Sequence, residues 1–358
     1  MRLSTVRLTA ALVLAVLGLG LGACSSVRHV PQGQYLLDKV EIDITDRDDI
    51  ERSELYNFLR QQPNHKVLGF ARLQLATYSL SGSDSTKWYN RWLRRIGQAP
   101  VIYDRELTEA SARQLRLALI NSGYLDATVE ADTLVRGPKR MEVDYSITAG
   151  EPHRIATLDY NISDPALRSL VMADTAGGFL HTGMLLNRTQ LDNERGRIAR
   201  LLRDNGYYDF NREYINFTAD TIAGSKLTGV TLNLHNPGAT QSHKSSLEAT
   251  ASALKGDGGA HRRYEIRKVE FVIEYNLDEN SASAPHDTVE YRGTLFVYGK
   301  DRYLRPEVLD EMCYLTPGKT YSASDVERTY EALGRLSIIK FINIELTPAG
   351  DAGGTGLL

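Results

Sequence analysis

Cysteine is almost missing from this chain, with Cys24 and Cys313 the only two in 358 residues. Two thiols exclude a disulfide framework and a multi-cysteine metal site. An excess of charge is missing too: the net charge is −3, so no bulk field points to nucleic acid or to an acidic substrate. Long hydrophobic runs are confined to the N-terminus, where Leu8 to Leu21 gives roughly 14 residues against the ~20 needed to span a bilayer. The apolar share of 42% nevertheless excludes a disordered chain. Catalytic signatures are the last absence. The eight histidines never fall into a His-Glu-x-x-His arrangement, and no Gly-x-Ser-x-Gly elbow, Walker loop or dinucleotide glycine fingerprint occurs. His65, His153 and His261 read as surface residues near turns and linkers rather than as ligands. Ser337-Ile-Ile-Lys340 matches a Ser-x-x-Lys pattern, but its companions Ser-Asp-Asn and Lys-Thr-Gly are absent. Cys313, near Leu309 and Met312 on a predicted helix, reads as a buried structural thiol. The expectation is a protein that is not an enzyme and holds no metal or cofactor.

What is present is an internal repeat, the feature that decides the fold class. Asn121-Ser-Gly-Tyr-Leu-Asp-Ala127 returns as Asn205-Gly-Tyr-Tyr-Asp-Phe210, each copy after an amphipathic helix and before an alternating strand. A worn third copy is Leu336-Ser-Ile-Ile-Lys-Phe341, with Ser337 read as replacing the glycine. The helix ahead of each copy carries apolar residues at helical spacing: Leu115 and Leu119, Ile198 and Leu202, then Tyr330 ahead of Leu333. Gly123 and Gly206 stand where helices commonly end in a left-handed residue.

Three units of strand, helix, helix, strand, strand follow, an α+β arrangement. The first covers 38–150. Val40, Ile42 and Ile44 alternate as a strand, Glu51 to Gln61 reads as a helix ended by Pro63, and Arg105 to Ser122 is a helix with Asp104 as N-cap. Thr128 to Leu134 and Met141 to Thr148 form a hairpin. The second unit, 151–237, repeats this with a strand around Leu158, helices Pro165 to Ala173 and Arg188 to Asn205, and a hairpin of Glu213 to Asp220 with Lys226 to His235. Residues 238–263, rich in Ser, Ala, Gly and Thr, are a linker or a loosely ordered junction. The third unit, 264–358, opens with Val269, Phe271 and Ile273. It inserts a polar loop and an extra arm from Thr288 to Tyr298, continues through helices Arg305 to Met312 and Ser324 to Leu336, and returns to a strand at Ile342, Ile344 and Leu346. The pattern asks for one more strand after Gly350-Asp-Ala-Gly-Gly354, so we expect this unit to be incomplete and the natural polypeptide to continue; a Gly-rich terminus is the alternative.

Between the first unit's helices lies an insertion, 64–103, holding Lys87-Trp-Tyr-Asn-Arg-Trp-Leu-Arg-Arg-Ile96. Trp88, Trp92 and Ile96 recur four apart, with Arg91, Arg94 and Arg95 largely off that stripe. Such a helix can lie on a membrane surface. It can equally pack its tryptophans on the domain and solvate its arginines. The shortness of the stripe favours packing.

At the N-terminus, Arg2 and Arg7 precede the apolar run, and Leu21-Gly-Ala-Cys24 places small residues before a cysteine. This resembles the lipobox of bacterial lipoproteins; an ordinary secretory signal with a chance cysteine is the alternative. The resemblance implies a signal peptide over 1–23, palmitate-type lipidation of Cys24 and a tether over 24–37. Two or more acyl chains anchor stably where one does not. Ser25, rather than aspartate, after the cysteine favours the outer membrane.

Taken with the lipobox, Tyr35-Leu-Leu-Asp-Lys-Val-Glu-Ile42, Gln62-Pro-Asn-His-Lys-Val-Leu-Gly69, Arg91-Trp-Leu-Arg-Arg-Ile-Gly97 and the two Gly-Tyr-x-Asp motifs carry a second resemblance. Nearly all of the chain past the signal resembles tandem POTRA domains of the BamA/TamA outer-membrane assembly family, in its Bacteroidetes lipoprotein form. The family's β-barrel has no counterpart here. The resemblance implies a lipid-anchored periplasmic arm in the outer membrane that handles unfolded β-barrel clients. A TamB-like inner-membrane-anchored protein is the further partner it implies. A barrel-less lipoprotein scaffold for envelope proteins is the rival reading. In the implied fold the strand after each Gly-Tyr motif is an edge, which can accept an extended client strand. The candidate binding residues are therefore Val129, Ala131 and Thr133, and Glu213, Ile215 and Phe217. Glu130 and Asp132 can instead blunt the first edge.

Overall fold

The computed structural model describes residues 27, 29–65, 72–82, 84, 86–221, 224–237, 259–273, 287–299, 302, 304–352 and 355–357. Cys24, most of the 238–263 linker and the polar loop 276–286 lie outside the described residues. The chain divides into two compact units at His153/Arg154.

The first unit contains β1 (Leu36–Ile44), α1 (Arg52–Leu55), α2 (Leu73–Ser79), α3 (Trp88–Ile96), α4 (Arg105–Asn121), β2 (Thr128–Val135) and β3 (Arg140–Thr148). Its sheet has the order β1-β3-β2, with β1 parallel and β2 antiparallel to the central β3. Met141, Val143, Tyr145 and Ile147 of β3 are all buried, as their alternation requires. Val143, Tyr145 and Ile147 meet Leu115 and Leu119 of α4, Leu55, Leu59 and Tyr124 in one core. Leu37, Val40, Ile42 and Ile44 of β1 complete that core, and each fully buried Leu or Ile contributes about 1.5–3 kcal/mol. The Asp104 carboxylate caps α4 as expected, accepting the amides of Glu106 (2.8 Å) and Leu107 (3.3 Å).

The expected helix over Glu51 to Gln61 is shorter. After α1 the chain makes one 3₁₀ turn, Tyr56–Phe58, and leaves the helical region at Leu59. Past that turn the chain is held from elsewhere: the Arg60 amide donates to Ser111 Oγ (2.9 Å), and the Gln61 side chain to the Ile102 carbonyl. Asn64 then brackets the chain opposite, donating to Ala99 O (2.7 Å) and accepting from Val101 N (3.0 Å). The tether also differs from expectation over its described part. β1 begins at Leu36, and Val30 and Leu36 are buried against Leu75 of α2.

The second compact unit contains two repeats. The first of them has β4 (Arg154–Ile162), α5 (Pro165–Ala173), α6 (Arg188–Asp204), β5 (Ile215–Thr221) and β6 (Leu227–Leu234). Its sheet order, β4-β6-β5, repeats that of the first unit, down to a register shift at the third residue of the first strand. Ile198 and Leu202 of α6 are buried as their spacing predicts.

The other repeat comprises β7 (Tyr264–Glu265), β8 (Val269–Ile273), β9 (Asp287–Tyr291), β10 (Thr294–Tyr298), α7 (Pro306–Glu311), α8 (Ala323–Gly334), β11 (Gly350–Ala352) and β12 (Thr355–Leu357). It corrects two expectations. Residues 341–349 form no strand; Ile342 and Leu346 pack as partly buried side chains instead. The extra arm is the hairpin β9–β10, and β10 lies parallel to β8 in the place that the last strand takes in the other repeats. The order β8-β10-β9 thus restores the three-stranded mixed sheet from a hairpin placed before the helices. With that slot filled, β12 pairs only with β7 and β11. The fold is α+β, built on three-stranded mixed sheets.

One device recurs in all three repeats and was not foreseen. The residue two positions before each long helix's N-cap makes an isolated antiparallel bridge to the first strand: Ile102 to Leu36, Leu185 to Arg154, Thr320 to Glu265. The caps Asp104, Asn187 and Ser322 follow at once. The bridge therefore covers the start of the first strand's outer edge and fixes where each helix begins.

Candidate functional site

Two edges carry the sequence-based expectation. Among the described residues, β2 has β3 on one side and no strand on the other, and β5 stands likewise beside β6. On β2, Val129 and Ala131 are half-buried against the core, whereas Thr133, Leu134 and Val135 are exposed. Glu130 and Asp132 are exposed on the alternate positions. The end of β2 nearest the hairpin is thus its accessible part. On β5, Phe217 is half-buried, and Asn216 and Thr218 to Thr221 are exposed.

Two of the named residues are placed differently. Glu213 lies in a 3₁₀ turn, Arg212–Tyr214, ahead of the strand, with its carboxylate 3.4 Å from Arg195. Ile215 is fully buried, and its carbonyl accepts Arg195 Nε at 2.8 Å. The first unit has the same device, Arg116 Nε donating to Ala127 O at 3.0 Å. An arginine from the long helix therefore satisfies a backbone acceptor just before or at the start of each edge strand. Free edge begins only beyond that point.

The Gly-Tyr turns that feed these strands are Schellman caps. Gly123 and Gly206 have φ of 101° and 103°, and the Tyr124 and Tyr207 amides reach back to Leu119 O (3.0 Å) and Leu202 O (3.1 Å). Both tyrosines are buried in the cores. The third copy is aligned differently from the expectation. Ala127 N to Tyr124 O, Phe210 N to Tyr207 O and Ile339 N to Leu336 O are equivalent bonds, so Leu336 stands for the tyrosine. Arg335, not Ser337, occupies the glycine's place; it keeps a helical φ of −75°, because α8 finishes in 3₁₀-type bonds that need no left-handed residue.

The second turn does something the sequence reading missed. Tyr208 meets Tyr264 and Tyr321 edge to face, with centroids 5.7 and 5.2 Å away, and the Tyr264 hydroxyl donates to Asp209. The Gly206 carbonyl accepts Tyr264 N (2.8 Å), and a methyl group on Gly206 would sit 2.7 Å from both Arg263 Cγ and Thr320 Cγ2. Asp204 ends α6, where the helix dipole disfavours an acid. It is offset by capping α8, accepting Ser324 N (2.7 Å), Ser324 Oγ (2.8 Å) and Ser322 Oγ (3.3 Å). Burial pushes the Tyr321 phenol up to about 12. The available signal was Tyr208, an aromatic where the first copy has Leu125.

The linker's described end is packed as well. His261 is buried between Phe210 and Tyr214, ring centroids 4.8 Å from each, and bonds to His235 O (2.9 Å). It is not a surface residue, and burial lowers its pKa. His153 is buried too. Cys313 lies just past α7 rather than on it, and burial pushes its thiol up, away from nucleophilic character. Among the described residues no three of His, Cys, Asp and Glu gather into a cluster able to hold a metal ion.

The insertion departs most from expectation. Trp88, Trp92 and Ile96 are 73%, 55% and 47% exposed, so the stripe does not pack on the domain. The side of α3 that is tied down is polar: buried Asn90 bonds to Gly82 N (2.9 Å) and Asp84 O (2.7 Å), and Arg94 to Ser81 and Gly82.

No family model and no curated protein matches the sequence. Among solved structures, the chain is similar to POTRA domains 3–5 of BamA from Haemophilus influenzae, with TM-score 0.39 and 13% identity over 92% of this chain and 96% of that one. It is similar to POTRA domains 1–3 of Omp85 from Anabaena, at TM-score 0.28 and 10% identity, covering 91% and 94% of the two chains. The N-terminal domain of Omp85 from Thermosynechococcus elongatus gives 0.28 and 11%, covering 89% and 93%. The architecture of this chain stands on its own strand order.

Proposed function

We propose that this chain is the periplasmic arm of an outer-membrane lipoprotein, anchored through Cys24, that assists the assembly of β-barrel proteins by lending strand edges to unfolded clients. The observation that carries this is the repeated open edge: among the described residues, β2 and β5 each follow a Schellman turn, pair on one side only and leave their far halves exposed. An added strand gains affinity from backbone bonds and asks little of sequence, which suits a handler of many clients. The family resemblance in the sequence supplies the client class, and a TamB-like inner-membrane-anchored protein is a second candidate for the same edges. The work is physical rather than chemical.

The test is site-specific crosslinking in cells from Thr133→Cys and Thr218→Cys to a stalled barrel client. Crosslinks at either position are expected. None at both, with the protein folded and present, rejects edge binding. Position 215 is unsuitable because Ile215 points into the core.

A further inference from the structure

The chain has only two tryptophans, and both are on α3. Successive residues of a helix turn by about 100°, so Trp88, Trp92 and Ile96 lie about 40° apart on one exposed arc. Tyr89 borders the arc on one side. Arg95 and Arg91, both exposed, border it on the other. Aromatic rings beside cations, on a helix whose opposite side is fixed to its own domain, make a face shaped for a boundary between water and apolar medium. Its charge is one-sided. Between Asp84 and Asp104 the chain has Lys87, Arg91, Arg94 and Arg95 and no acid, although the whole chain is net negative. Asp84 is engaged with Thr86, and the neighbouring α2 carries no charged residue. At nine residues, α3 is too short to cross a bilayer and long enough to lie on one.

The tether joins the same layer. Val27 and Val30 pack with Leu75 of α2, and the His29 ring meets Tyr78 of α2 edge to face, 5.5 Å between centroids. Tyr78 in turn receives the Arg94 guanidinium of α3, 6.0 Å from its centroid. From Cys24 to Val27 is three residues, an extended reach of roughly 10 Å. A lipid on Cys24 would therefore hold this layer at the membrane.

We infer that the Trp88–Trp92–Ile96 face of α3, with Arg91 and Arg95, is a contact surface for an anionic lipid bilayer. That it would meet the anchoring membrane rests on the lipoprotein reading; binding to lipid does not.

The experiment uses the unacylated chain from Ser25, which keeps every described residue, with vesicles of phosphatidylcholine alone or mixed with phosphatidylglycerol. The two tryptophans report only from this face. Their emission is expected to shift to the blue, and the protein to co-sediment, with the anionic vesicles and not the neutral ones, the effect weakening in salt. Arg91→Glu with Arg95→Glu keeps both reporters and is expected to weaken partitioning at least about tenfold. Trp88→Ala with Trp92→Ala is expected to abolish co-sedimentation. The inference is overturned if the wild-type emission ignores vesicles, if neutral vesicles serve equally well, or if either double variant binds like wild type. A shift that follows protein concentration without lipid also overturns it, by showing that a second copy covers the stripe. None of these outcomes bears on crosslinking at the strand edges, so the two proposals fail separately.

Discussion

Two aromatic clusters in this chain meet opposite fates. Tyr208, Tyr264 and Tyr321 are locked together where the second and third repeats meet, each ring on another's edge. Trp88, Tyr89 and Trp92 lie exposed on the outside of α3, where the Trp88 and Tyr89 rings meet edge to face. Both groups look alike as text: bulky rings near charges. The difference is that the tyrosines sit where Asp204, Gly206 and Arg263 bring two repeats within bonding distance, whereas α3 turns its polar side inward. Hydrophobicity identifies a surface that seeks cover; the partner's placement decides whether it has one.

The largest expected effect breaks the covered cluster. Tyr264→Ala should lower the stability of the Arg154–Leu358 unit by about 3–5 kcal/mol, read as a fall in the urea midpoint by circular dichroism. An unchanged midpoint would mean the junction is not closed in solution. Asp204→Ala should cost about 1–2 kcal/mol, because it strands the Ser324 amide in the first turn of α8, although the Ser322 cap remains. His261 sharpens the comparison through pH. Its folded pKa is lowered by burial, so the neutral form is the one that folds, and the unfolded chain takes up the proton first as pH falls below about 6.5. Stability should therefore decline with acidification from that point, and His261→Gln should flatten the slope relative to wild type. The smallest effect belongs to the uncovered cluster: Trp88→Ala with Trp92→Ala should change stability by no more than about 0.5 kcal/mol. A large loss there would show that the stripe is covered after all.

How far the chain could be read depended on the range of the forces involved. The alternation in β3, the spacing of Leu115 and Leu119, the Asp104 cap and the left-handed glycines are local, and each stands where its pattern placed it. The early end of this helix was not legible, because the Arg60 amide and the Gln61 side chain that follow it are bonded to Ser111 and Ile102, some 40 to 50 residues away. Nor was the buried end of Ile215, since the helix arginine that occupies its carbonyl has no signature in the strand itself. Of the six residues named on the edges, Val129, Ala131 and Phe217 lie on the edge strands half-buried against the cores, Thr133 is exposed there, Ile215 is fully buried, and Glu213 lies outside its strand.

The sequence by itself determined the repeat, the helix and strand periods, and the presence of an amphipathic aromatic helix, because propensity and periodicity act over a few residues. Only the tertiary structure decided which strand fills the slot beside β8, which tyrosine is a joint and which tryptophans are bare. Those outcomes turn on which surfaces meet, and residues far apart in the chain compete for the same partner.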